Sequence, residues 1–224
     1  MPDNNNDNIL RNRQLASLGK MLAGYSHELK NHLAIINESA GLMDDLLEMG
    51  SIDDEQSVQR FKKSISLIWE RINQADTMAK YMNGFAHKMD IPVSNFDVNE
   101  LLNEELAFLD RFFLIKSASL QKELQPDLPA VRNNPSLLQF VIFTYIYRII
   151  AGIDSGGEIA VTSQLKGQDI LIIIEVSNIP ASEIDQDSSD EVAIKYALDK
   201  MGIAMTEETL TDDRKKTIIT IPTA

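Results

Sequence analysis

SLGKMLAGYSHELKNHLAII, Ser17 to Ile36, reads as a long helix with one chemical group held off its apolar face. Leu15, Leu18, Leu22, Tyr25 and Leu29 recur at spacings of three and four, the pattern of a single buried stripe. A helix turns about 100° per residue, so His27 lies roughly 200° round from Tyr25 and points away from that stripe. An imidazole presented to solvent is suited to carrying a proton or a phosphoryl group near neutral pH. His32 continues the line of Tyr25, Leu29 and Ile36, so it is expected to be partly buried.

Outward from this stretch, a first helix is expected from about Asn8 to Glu48, with Gly50 as its stop and Ser51 or Asp53 as the next cap. A second helix carries Val58, Phe61, Ile65, Ile68, Ile72, Ala75, Ala79 and Met82 at heptad-like spacing. Two such helices joined by a short loop form an antiparallel hairpin. A lone hairpin leaves much of its stripe wet, and pairing two chains buries it in a four-helix bundle, so a homodimer is expected. Trp69 and the methionines at 78, 82 and 89 are read as packing residues. His87 to Pro92 is read as a linker, which divides the chain into a helical hairpin, residues 1–90, and a mixed α/β part, residues 91–224.

The second part begins with FDVNELLNEELAFL, a short extended stretch and a helix capped near Asp97. SASLQKELQPDLPAVRNN reads as two strands about a Pro-containing turn, and PSLLQFVIFTYIYRIIAG as an almost wholly apolar, buried helix. Strands are expected at 158–165 and 169–177 about Gly167, a helix at 190–201, and a closing hairpin at 204–210 and 216–221. Helices on one side of an antiparallel-rich sheet make a two-layer α/β sandwich.

With 224 residues and 44% hydrophobic composition the chain has length for two modest cores. Its net charge of −13 argues against nucleic acid or an anionic membrane as the main partner. It has no cysteine, so a disulfide or thiolate metal site is excluded, and three scattered histidines do not make a zinc site. No run approaches the ~18 apolar residues that a bilayer span needs, and MPDNNNDNILRNRQ lacks a signal-peptide core; a cytoplasmic location is expected.

His27, Glu28 and Asn31, preceded by LASLGKMLAG, resemble the phosphoacceptor box of two-component histidine kinases, in which such a histidine lies on the first helix of a dimeric four-helix bundle. The family often has a helix-kinking proline where this chain has His32, so the helix should run straighter here. FDVNELL, LPAVRNNPSLLQ and TIITIP also look like segments of the kinases' ATP-binding domain, so the resemblance covers nearly the whole chain.

The nucleotide motifs that the resemblance calls for are missing. Tyr147 stands where the family has a magnesium-binding Asn, about eight residues after the Gln matched by Gln139. Ser-Asn-Ile-Pro-Ala-Ser, 177–182, replaces the adenine-contacting Asp-x-Gly-x-Gly, and about ten residues without glycine, Ala181 to Asp190, replace the lid. Backbone that cradles phosphate usually needs glycine, and Mg²⁺ needs oxygen ligands; Tyr147 and Arg148 are poor substitutes for an amide oxygen. Gly156-Gly157 reads as a turn, and Asp154 alone is not a site. The domain is therefore expected not to bind ATP.

What the resemblance leaves is phosphoryl relay between the receiver domains of response regulators, with Mg²⁺ supplied by the receiver and no intrinsic cofactor or metal. His27 would be the nucleophile, Glu28 would orient or deprotonate its ring, and Asn31 corresponds to a family position that holds water for receiver dephosphorylation. Lys20 and Lys30 are candidates to offset phosphate charge, and Gly24 would leave the helix surface low for a partner's loop. The alternatives are a non-catalytic receiver-binding scaffold, a receiver phosphatase acting through Asn31, and an active kinase with an unusual ATP site.

Overall fold

The computed structural model describes residues 3–49, 54–153, 156–178, 188–211 and 214–223. In chain order the elements are α1 (Asp3–Glu48), α2 (Glu55–Asp90), β1 (Ser94–Phe96), α3 (Val98–Ile115), β2 (Ser119–Leu124), β3 (Val131–Asn133) and α4 (Pro135–Gly152). Then come β4 (Glu158–Lys166), β5 (Asp169–Ser177), α5 (Ser188–Met201), β6 (Ala204–Thr211) and β7 (Arg214–Pro222). They form two compact units: Leu22–Gly84, and Met1–Met21 together with Phe85–Ala224.

In the helical unit, α2 starts at Asp54. The Ser57 backbone N–H and hydroxyl both donate to the Asp54 carboxylate, at 2.9 and 2.6 Å, filling donors that a helix start leaves open. The Ser57 hydroxyl holds the Asp54 carboxyl below its usual range. The expected stop at Gly50 and caps at Ser51 or Asp53 fall outside the described residues.

In the part of α1 that belongs to this unit, His32, Ser39 and Leu46 are buried at spacings of seven; along α2 Ser57 and Ser64 are buried, also seven apart. These seams line a groove of about 530 Å³ between Ile35, Ser39, Leu42, Arg60, Ser64 and Leu67. The large apolar residues lie mostly elsewhere: Leu22, Leu33, Leu47, Ile65, Trp69 and Ile72 are all exposed, Trp69 by 62%. His32 is buried as its spacing predicts. The expected burial of Leu22, Ile65, Ile72 and Trp69 is not met within one chain, because two helices cover each other along one seam and each carries a second.

The other unit holds the start of α1 and everything from Phe85 on. The segment His87–Asp90 belongs to α2 and not to a linker; Pro92 restricts Ile91, one residue past the helix end. Leu15 and Met89, read as packing residues, are exposed. Asp97 caps α3, accepting from the N–H groups of Asn99 and Glu100. The main sheet has the order β2-β4-β5-β7-β6, in which β2 and β4 run parallel and the other pairs antiparallel. β1 and β3 form a separate antiparallel pair. Alternation places Ile159 and Val161 of β4, Ile170, Ile172 and Ile174 of β5, and Ile219 and Ile221 of β7 in the core. Gly167 turns β4 into β5 at φ +67°, where a side chain would be strained. α4 is long and apolar enough to cross a membrane by composition, but Leu138, Val141, Ile142, Phe143 and Ile146 are fully buried in this core.

Two carboxylates enter the core from α3. Lys88 donates to both oxygens of Glu104 at 2.8 Å. Glu105 is completely buried, and burial pushes its carboxyl well above the usual range, with the Glu104 charge adding to the effect. The Gln139 amide offsets part of this, although neither side chain completes a hydrogen bond of ordinary geometry. The folded chain thus keeps a proton on Glu105 that the unfolded chain releases at ordinary carboxylate pH. Stability contributed by that proton falls as pH rises from the ordinary carboxylate value towards the raised one. Glu105→Gln is isosteric and does not titrate, so thermal melts from about pH 5 to pH 9 should show a higher Tm than the parent at the alkaline end and a flatter slope. Parallel melting curves for the two proteins would contradict this account of Glu105.

Candidate functional site

His27 lies in the helical unit on the solvent side of α1, its side chain half exposed. Its Nδ1 is 3.2 Å from the Asn31 amide nitrogen, one turn on. The same nitrogen donates to Glu28 Oε1 at 3.4 Å, and Glu28 Oε1 is 3.9 Å from His27 Nδ1. An unbroken helix across these five residues fixes the three backbones, so the cluster needs no tertiary contact to assemble. Glu28 is partly covered, Asn31 and Lys30 are exposed, and Nε2 is left as the ring atom that no described residue engages. The arrangement offers an accessible imidazole with an amide at one nitrogen and a carboxylate 3.9 Å from it, a geometry suited to nucleophilic or proton chemistry at the other nitrogen.

Gly24 is placed differently from its expectation, and Lys20 makes a contact that its sequence neighbourhood does not announce. Gly24 is buried, so it offers no open low point on the helix; a position without a side chain is covered by its neighbours. Lys20 belongs to the other unit, where its ammonium sits 4.1 Å above the Tyr147 ring.

The Tyr147 ring also stacks on Phe143, with centroids 5.9 Å apart and planes 15° apart, and meets the edge of Phe112 at 5.0 Å. One turn before, the buried Thr144 hydroxyl shares a hydrogen bond of 3.0 Å with Ser17. Arg148 is paired with Glu191 at 3.4 Å. The start of α1 is further tied to α5 through Arg13 and Asp190 at 3.5 Å, and through Asp7, which accepts from Lys200 at 2.6 Å and from Tyr196 at 3.2 Å. Sequence reading missed every one of these ties, since the partners lie far apart in the chain and no motif links them.

Gly156 and Gly157 form a turn into β4. Gly156 N–H donates to Lys116 O, and Gly157 O accepts from Ser119 N–H at 2.9 Å. A Cβ on Gly157 would come within 2.7 Å of the Ile153 side chain, so this glycine serves close packing. Asp154 and residues 181–187 of the segment read as replacing the lid lie outside the described residues. Among the described residues no cluster of three metal-ligating side chains occurs.

No family model matches the chain. In sequence it is 24% identical over 181 residues to the sensor histidine kinase ZraS of Escherichia coli K12, a match that takes in 80% of this chain. The chain spans only 37% of the length of that relative. In fold it is similar to the catalytic domain of histidine kinase ThkA, with a TM-score of 0.51 at 17% identity, covering 59% of this chain and 97% of that one. ThkA in complex with the response regulator TrrA gives 0.50 at 19% identity, over 96% of this chain and 64% of that one. Acinetobacter baumannii AdeS, also a histidine kinase, gives 0.50 at 13% identity, over 88% of this chain and 98% of that one. Over most of its length, in sequence and in fold, the chain is histidine kinase-like.

Proposed function

We propose that this chain is a histidine phosphotransferase that takes a phosphoryl group from the aspartate of one response-regulator receiver and gives it to another. The observation that carries the reading is the exposed His27 with Glu28 and Asn31 gathered at one ring nitrogen. Nε2 attacks phosphorus in line, the P–O bond to the aspartate breaks, and the aspartate leaves as a carboxylate. The ring's Nδ1 proton is drawn to Glu28 as the phosphoramidate forms. Transfer of this kind asks of the scaffold mainly positioning and charge neutralisation, and the receiver brings the Mg²⁺. The response regulator in the ThkA complex supports receivers as the partner class.

The second unit acts in this reading as a docking or structural domain that does not bind ATP. Support comes from Tyr147, whose ring is spent on Phe143, Phe112 and Lys20 and has no amide oxygen to give a metal. Among the described residues, Tyr147 and its aromatic neighbours do not fit a Mg²⁺–nucleotide, and no step is routed through one. A fluorescent ATP analogue titrated into the protein with Mg²⁺ should therefore give no saturable signal.

The working form is a homodimer in the cytoplasm. The hairpin buries three serines, a histidine and Leu46 and leaves Leu22, Leu33, Leu47, Ile65, Trp69 and Ile72 in water, a seam that a second copy would cover. Trp69→Glu puts a charge in that seam, and sedimentation should find the variant a monomer where the parent is a dimer. Trp69 is the only tryptophan, so its emission should shift to the blue on dimerisation in the parent.

Incubation with receivers carrying labelled aspartyl phosphate tests the transfer itself. Label should move to the parent protein and on to a second receiver, and His27→Gln should take none. Binding without transfer would leave a scaffold, loss of label to water through Asn31 a phosphatase, and label taken from ATP would sink the reading of the second unit.

A further inference from the structure

The three groups at His27 are not equivalent, and their distances order them. Asn31 Nδ2 donates to Glu28 Oε1 at 3.4 Å, and a carboxylate oxygen can only accept. The carboxylate therefore fixes which end of the amide faces inward, since the amide oxygen in that place would set lone pairs against lone pairs. With nitrogen inward, the second amide hydrogen meets His27 Nδ1 at 3.2 Å, and Nδ1 must accept it. Neutral imidazole has one N–H, so its proton then sits on Nε2.

We infer that Asn31 is a positioning residue that holds His27 in the Nε2–H tautomer at rest, so that the exposed nitrogen has no free lone pair until the amide lets go. The inference rests on the proposed relay reading for its purpose but not for its chemistry. Glu28 cannot set the opposite tautomer while it is bound to the amide: at 3.9 Å it lies beyond hydrogen-bond reach of Nδ1. When Asn31 turns away, as when its amide is claimed by an arriving aspartyl phosphate, Glu28 becomes free to accept the proton at Nδ1. The ring proton then moves to Nδ1 by exchange with solvent, Nε2 gains its lone pair, and attack on phosphorus expels the aspartate carboxylate with the bonding pair. The Nδ1 proton passes to Glu28. The acceptor is thus switched on by the group that delivers phosphate, and it is quiet towards stray electrophiles.

The side chain of Asn31 is exposed, so substitution leaves the helix intact. Protein labelled with ¹⁵N at histidine reports the tautomer directly through the Nδ1 and Nε2 shifts above the ring's titration. The parent should show Nδ1 unprotonated. Asn31→Asp replaces the donor by an acceptor and should reverse the assignment, and Asn31→Ala should give a mixture. Phosphoramidate, a small phosphoryl donor that needs no receiver docking, should label Nε2 of Asn31→Ala about fivefold faster than the parent, the weight of one net hydrogen bond. Identical shifts in all three proteins, or equal labelling rates, overturn the inference. If the tautomer follows residue 31 but no receiver passes label to any of the three, the relay reading fails and the role of Asn31 stands.

Discussion

Two helices can bury only one seam against each other, and the hairpin is organised around that limit. Its inner seam holds mostly small and polar side chains, His32, Ser39, Ser57 and Ser64, with Leu46, while Leu22, Leu33, Leu47, Ile65, Ile72 and Trp69 lie exposed. A serine saves little free energy when buried, whereas a leucine or isoleucine is worth about 1.5–3 kcal/mol. Most of the hairpin's hydrophobic drive is therefore unspent in a single chain. The same limit keeps His27 accessible, because it lies on neither seam.

The second unit is held together by its own core. Its sheet, its apolar α4 and its capped α3 are complete, with Asp97 and Asn134 in the cap positions and an alternating buried face on β4, β5 and β7. Around Tyr147 the space is given to aromatic packing and to a lysine from the start of α1. Such a core stays folded without a ligand because its stability lies in buried apolar area and not in bound phosphate.

Local features were legible in the sequence and distant ones were not. His27, Glu28 and Asn31 could be read together because one helix spaces them at one and four residues, and the strands from Glu158 to Pro222 announced themselves by alternation about Gly167. The stripe of Leu15 and Leu22 was misjudged for a plain reason: periodicity says that a face is apolar, not what covers it. Ser17 and Thr144 stand 127 residues apart, and nothing in either neighbourhood names the other. Nothing in the residues around Glu105 signals burial, although the core closes over it completely.

The main sheet is open at both ends, and its β6 margin has a consequence for how copies of this chain meet. β6 pairs only with β7, and it carries Glu207 and Glu208 on consecutive exposed positions. Two such margins brought side by side would line carboxylates against carboxylates on a chain that already bears a net charge of −13. Strand-to-strand growth through both edges of a sheet has no natural end. The acidic margin thus opposes edge-to-edge pairing and the fibre-like stacking to which such pairing leads.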